Sequence, residues 1–248
     1  MDRLVLWDID LTLVDARGFG PRWYRQALHE VTGRALRRMP ETAGRTELAI
    51  TTDVLGIHGV PADPPTVAAM FAALTSAVAA TRDELSERGS ALPGAARALS
   101  ALAAEPGFVQ TLVTGNLPEV AFHKLESFGL HHHVDFEIGG YGTNSLHRHD
   151  LISESVAKAA DRHATSLSPD SVVVVGDTPH DVAGALRFGA IAVGVATGRS
   201  SAEELHAAGA HAVLPNLADT EAVLATLSQA GIPNCRQNRK HPKTGNLG

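Results

Sequence analysis

Three carboxylates crowd into eight residues near the start of the chain: Asp8, Asp10 and Asp15 in the stretch DIDLTLVD. They follow directly on an apolar run, Leu4 to Trp7, that reads as a buried strand. Residues i and i+2 of a strand point to the same side, so Asp8 and Asp10 can flank one reacting centre. Isolated charges are costly to bury without a partner. These acids therefore either stand in solvent past the strand or hold something positive. Three more polar clusters follow apolar runs. Thr114, Gly115 and Asn116 follow VQTLV, and Gly176, Asp177 and Asp181 follow VVVV. His147-Arg148-His149 lies beyond the Phe136–Ile138 run, across a glycine-rich loop.

In a parallel sheet these clusters converge on one edge, and Asp177 joins Asp8 and Asp10. Three carboxylates so close cannot all stay ionised without a cation. A hard divalent ion with oxygen ligands, Mg²⁺ foremost, answers that need. Thr114 adds a hydroxyl and nearby backbone N–H donors at a helix N-terminus, which is an anion site. Carboxylates, a cation, an anion cradle and a basic residue together describe phosphoryl chemistry.

The elements that must position these groups show in the hydrophobic pattern. Strand-like runs recur at Leu4–Trp7, Val109–Val113, Phe136–Ile138, Val172–Val175 and Ile191–Val195, with helical patterns between them. LPEVAFHKLESFG places Leu117, Ala121, Leu125 and Phe128 on one stripe, with Gly129 to end the helix. Thr178-Pro179 is a cap and first-turn pair, and Gly189 closes that helix. Strand alternating with helix predicts an α/β fold, a Rossmann-like doubly wound parallel sheet whose ligands sit at the carboxyl ends of the strands. The rhythm breaks from Ala16 to Leu92, where Tyr24, Ala27, Leu28 and Val31 form one helical stripe. Val67, Met70, Phe71, Leu74, Val78 and Leu85 form another. The reading is a core of 1–15 and 93–233, an inserted α-helical cap of 16–92, and a polar, basic tail of 234–248 expected to be disordered.

Bulk composition narrows the function classes. A formal charge of −6 gives no reason to expect nucleic acid or an anionic membrane as partner. No stretch approaches the roughly 18 apolar residues of a membrane span. A single cysteine, Cys235, rules out an intrachain disulfide and suits a reducing cytoplasm. The expected assembly is a monomer or homodimer.

These residues carry a resemblance to the haloacid dehalogenase superfamily, in its phosphatase branch. Asp8, Asp10, Thr12, Leu13 and Asp15 fill its D-x-D-x-T-L-x-D pattern. Leu112-Val113-Thr114-Gly115-Asn116 supplies the hydrophobic run ending in threonine, and Gly176-Asp177 with Asp181 supplies G-D-x-x-x-D. GRTEL, Gly44 to Leu48, resembles a substrate-facing cap segment of the phosphoglycolate phosphatase and β-phosphoglucomutase relatives. The resemblance implies that Asp8 attacks phosphorus to form an aspartyl-phosphate. It implies that Asp10 then protonates the leaving oxygen and later activates water. It implies Mg²⁺ on the Asp8 carboxylate, the Asp10 backbone carbonyl and Asp177, with Asp181 acting behind them or through water. Thr114, with Gly115 and Asn116, would bind the phosphoryl group of a small phosphorylated metabolite.

The family normally has a lysine ahead of the last strand. Here the segment reads SLHRHDLI, and Arg148 is favoured for that place over Lys158. Arginine is forked, bulkier and always charged, but it can still supply a fixed positive charge. Arg45 either grips substrate or faces solvent, and Asn116 is either a loop residue or a ligand. A phosphomutase is the alternative function, and a non-catalytic binding protein of the same fold is a further one. A phosphonatase with a Schiff-base lysine is disfavoured, because residues 16–92 contain no lysine.

Overall fold

The computed structural model describes residues 1–229, so the expected disordered tail and Cys235 lie outside the described residues. The chain opens with β1 (Arg3–Trp7) and the short β2 (Val14–Asp15). Four helices follow, α1 (Phe19–Thr32), α2 (Glu47–Ile57), α3 (Pro64–Ala80) and α4 (Arg82–Arg88), and then β3 (Ser90–Ala91). Strand and helix alternate thereafter: α5 (Ala95–Ala104), β4 (Phe108–Thr114), α6 (Pro118–Glu126), β5 (Gly140–Tyr141) and α7 (Arg148–Arg162). The described chain ends with β6 (Val172–Gly176), α8 (Pro179–Phe188), β7 (Ile191–Val195), α9 (Ala202–Ala207), β8 (Ala212–Leu214) and α10 (Thr220–Gln229).

Six parallel strands pair in the order β5-β4-β1-β6-β7-β8. From β1 the chain builds outward through β4 and β5, then returns to β6 on the other flank of β1. That reversal opens a crevice at the carboxyl ends of β1 and β6, the place where doubly wound sheets bind ligands. Both faces of the sheet are covered, which is why its strands read as apolar runs. Val5 and Trp7 pack with Leu99 of α5 and Val223 of α10. Leu4 and Leu6 point the other way, to Leu151 and Ile152 of α7 and Val182 of α8.

Helices α1 to α4 share an apolar cluster of their own, built on Trp23, Leu28, Val54, Met70, Leu74 and Val78. Leu117 and Val120 join that cluster at the start of α6, so the helical insertion is seated over the end of β4. The insertion leaves and rejoins the sheet through an antiparallel pair, Val14 opposite Ala91 and Asp15 opposite Ser90.

Two expectations need correction. Phe136–Ile138 is a 3₁₀ turn, not a strand. The side chain of Asp135 accepts the Glu137 amide, a turn device that outweighs three apolar residues. Pairing with β4 begins only at Gly140, where a Cβ would lie 2.1 Å from the Leu151 carbonyl oxygen. The apolar stripe from Val67 to Leu85 is also not one helix, since α3 and α4 meet at an angle of 61°. Thr81 stands at the break, its Oγ1 donating to Ala77 O and accepting from Trp23 Nε1, each at 2.8 Å. Among the described residues no single helix is long and apolar enough to cross a membrane.

Candidate active site

Asp8 is the first residue past β1, with its amide donating to Val175 O at 2.9 Å and its side chain buried. Arg148 is the first residue of α7 and is buried too. Its Nη2 donates to Asp8 Oδ1 at 2.6 Å and to Val113 O at 2.9 Å. The same nitrogen lies 2.5 Å from Asp181 Oδ1 but out of hydrogen-bonding alignment, and that oxygen has no hydrogen-bond partner. Lys158, ten residues further along α7, is occupied elsewhere, by Gly139 O at 3.0 Å and Glu154 at 2.7 Å.

Asp177 follows β6 directly, and Thr12 Oγ1 lies 3.4 Å from its Oδ1. Asp181 closes the capping box of α8. Its Oδ2 accepts from the Thr178 amide at 3.0 Å and the Thr178 hydroxyl at 2.6 Å. Asp8, Asp177 and Asp181 each bring an oxygen within 4.8 Å of the others. Burial pushes Asp8 up to about 7, with Arg148 pulling down and Asp181 and Asp10 pushing up. Burial pushes Asp177 up to about 8, helped by the charges of Asp8 and Asp181. For Arg148, burial works against the charged form, but Asp181 and Asp8 outweigh it and the net shift is upward. One guanidinium cannot balance three buried carboxylates. An all-oxygen donor set with surplus negative charge fits a hard divalent cation.

Asp10 sits differently from its neighbour. The strand ends at Trp7, and the chain turns at once: Ile9 O accepts the amides of Leu13 and Val14, and Leu11 adopts φ +61°. Asp10 therefore keeps a half-exposed carboxylate at the cavity wall, 45% accessible, while Asp8 is at 8%. Its two oxygens each lie 2.7 Å from Lys124 Nζ. Asn116 Nδ2 donates to Asp10 Oδ2 at 2.8 Å and to Thr114 Oγ1 at 2.7 Å. Thr114 is fully buried at the end of β4. Asn116 is thus more than a loop residue, since it ties the threonine to the acid.

The insertion roofs this floor. The first two amides of α2, Glu47 and Leu48, donate to Gly115 O at 2.8 Å and Gly142 O at 2.9 Å. A Cβ on Gly115 would stand 1.9 Å from Arg45 O, so only glycine permits this approach. Gly115→Ala is expected to cost about 1–3 kcal/mol through overpacking, with turnover falling as the roof lifts. Thermal melts beside hydrolysis kinetics check it, and an unchanged melting temperature would contradict the docking. The cleft between floor and roof measures about 920 Å³, with Asp8, Asp10, Thr114, Arg148 and Asp177 facing Tyr24, Arg45 and Glu47. Arg45 lines it, yet its guanidinium pairs with Asp53 at 2.8 Å and Glu41 O at 3.1 Å.

Sequence reasoning missed Lys124 and the buried Glu47. Glu47 Oε1 accepts from the Tyr24 hydroxyl. Burial raises its pKa, while Tyr24 and Lys124 counter the rise. A signal for Lys124 was present. It falls at helical spacing within the stripe of Leu117, Ala121 and Phe128, a place where a lysine is buried only with a partner.

A family profile of haloacid dehalogenase-like hydrolases matches residues 5–186, most of the chain and all four strand-end clusters. The chain belongs to this family. The haloacid dehalogenase fold is matched by solved structures along nearly its whole length. A hydrolase from Pseudomonas syringae aligns at 20% identity and TM-score 0.63, covering 92% of this chain and 99% of that one. CbbY from Rhodobacter sphaeroides, in complex with phosphate, aligns at 16% identity and TM-score 0.65, covering 91% and 100%. A predicted phosphoglycolate phosphatase from Haemophilus somnus aligns at 17% identity and TM-score 0.61, covering 90% and 98%. No curated protein matches the chain in sequence.

Proposed function

We propose that this hydrolase is a Mg²⁺-dependent phosphatase acting on a small phosphorylated metabolite through an aspartyl-phosphate on Asp8. The observation that carries the reading is Asp8 itself: a buried carboxylate at the sheet's switch point, gripped by Arg148 and crowded by Asp177 and Asp181. In this reading the free oxygen of Asp8 attacks phosphorus, and Arg148 steadies both the nucleophile and the arriving charge. Thr114 holds a phosphoryl oxygen. Asp10, at the cavity wall, gives a proton to the leaving oxygen and then takes one from the water that hydrolyses the intermediate. Residues 16–92 act as the cap, and the docking of α2 on Gly115 and Gly142 excludes bulk water during the first step.

Asp8, Asp177 and the Asp10 backbone carbonyl would hold Mg²⁺, with Asp181 behind them. When bound, the ion neutralises charge on the phosphoryl oxygens. Binding has a readout apart from turnover. Mg²⁺ is expected to raise the melting temperature of the wild type and to leave Asp177→Asn nearly unmoved. The sign with pH follows from the raised pKa values. Without metal, the folded protein keeps protons on Asp8 and Asp177 up to about 7 and about 8, while the unfolded chain loses them near 3.8. The folded state binds more protons in that window, so metal-free stability falls as pH rises from about 4 to about 8. The Mg²⁺-induced shift should grow over the same range. A Mg²⁺ shift that is equal in Asp177→Asn would remove the ion from these carboxylates.

A phosphate-release screen over sugar phosphates, phosphoglycolate and nucleotides, with and without Mg²⁺, tests the activity. Mg²⁺-dependent release that disappears in Asp8→Asn is the expected result. Bisphosphate-dependent isomerisation without net phosphate release would favour a phosphomutase instead.

A further inference from the structure

We infer that Lys124 is a positioning residue for Asp10, and that it fixes the acid/base carboxylate relative to the phosphoryl pocket. The inference rests on the proposed role of Asp10 and adds a residue to it.

The Lys124 ammonium has three protons and three acceptors around it: Asp10 Oδ1, Asp10 Oδ2 and Asn116 Oδ1, each at 2.7 Å. It has no donor left over for a substrate, and the residue is only 5% exposed. Lys124 is therefore not a substrate ligand. Its partners define what it does. Asn116 Oδ1 takes one proton, and the amide nitrogen of the same side chain bonds both Asp10 and Thr114. Lys124 and Asn116 together form a bracket with Asp10 at one end and Thr114 at the other. Without Lys124, the half-exposed Asp10 would keep only its Asn116 contact and could swing across the cavity.

The helical insertion completes the bracket. The ammonium lies 5.6 Å from the ring centroid of Trp23, and Thr81 holds that indole by its Nε1. Glu47 adds a buried carboxyl group close enough for Lys124 to counter its upward pKa shift. A core lysine is thus covered by residues of α1 and α2. Seating of the insertion over α6 and placement of Asp10 are then one structural event.

Two small substrates of similar size separate this role from general support of the fold. The leaving carboxylate of acetyl phosphate needs no proton, whereas the alkoxide of ethyl phosphate does. kcat/KM reports only steps through formation of the phosphoenzyme. Lys124→Met is expected to lower kcat/KM for ethyl phosphate at least about tenfold more than for acetyl phosphate, within the ~10²–10⁴ range of general acid catalysis. In an Asp10→Asn background the same change should add little. Lys124→Arg, which keeps charge and donors, should recover part of the ethyl phosphate rate, and it serves as the test if the Met variant does not fold. Equal losses on both substrates, or no recovery by arginine, would overturn the inference. If Asp10→Asn itself shows no preference between the two substrates, the role of Asp10 fails first, and that outcome is separately visible.

Discussion

Asp8→Asn is expected to remove Mg²⁺-dependent phosphate release, by on the order of 10⁴–10⁶ in kcat, the range seen when a nucleophile is lost. An amide oxygen cannot attack phosphorus as a carboxylate does, and no nearby group can substitute. Asp177 and Asp181 sit in the same cluster, but Asp181 is committed to capping α8, and Asp177, just past the end of β6, lies against the Thr12 hydroxyl. The substitution should leave the fold intact. It removes one charge from a crowded buried cluster, and Arg148 keeps Asp181 beside it. A melting temperature near the wild-type value with no turnover is the combined result to look for. Residual turnover within tenfold of wild type would mean that Asp8 is not the nucleophile.

The second large effect belongs to Arg148. Its guanidinium is the charged group that touches Asp8 and Asp181 together, and its side chain is 6% exposed. Removing one partner of a buried ion pair strands the other charge. Arg148→Met should therefore destabilise the metal-free protein by about 3–5 kcal/mol. It should also cost turnover on the order of 10²–10³, the scale for losing one fixed donor at a developing charge. Arg148→Lys is a finer probe. It restores charge but not the fork, so stability should return further than activity. Denaturant melts and steady-state kinetics on the two variants check this. A methionine variant as stable and as active as wild type would mean that Arg148 neither steadies Asp8 nor meets the phosphoryl charge.

Much of the fold was legible because it rests on short-range pattern. The apolar runs at Leu4, Val172 and Ile191, with Leu112 and Val113 of β4, are buried on both faces of the sheet, so they stand out with no partner known. The cap-and-proline start at Thr178 and the glycine end at Gly189 likewise depend only on neighbours. The strand-end clusters could be read as one site because a parallel sheet carries every strand's end to the same edge. What escaped depends on contacts between distant stretches. Phe136–Ile138 looks like a strand until the Asp135 side chain is seen to turn it. The bend at Thr81 depends on a hydrogen bond from Trp23, 58 residues away. Lys124 was visible as an oddity on an apolar stripe, but its meaning lies in Asp10, 114 residues earlier. Asp8 and Asp10 were expected to share one strand face. The turn held by Ile9 O instead gives them separate surroundings, one buried with Arg148 and one open to the cavity with Lys124. That separation suits two carboxylates assigned two different tasks.

A covalent phosphoryl group on Asp8 distinguishes this mechanism from direct attack by water. Single-turnover reaction with acetyl phosphate and Mg²⁺, quenched in acid and mapped by peptide mass spectrometry, tests it directly. A transient acid-stable phosphoryl group is expected on the peptide bearing Asp8, forming and decaying at rates consistent with turnover. Phosphate release at the same rate with no phosphorylated peptide, or with the group on another residue, would contradict it.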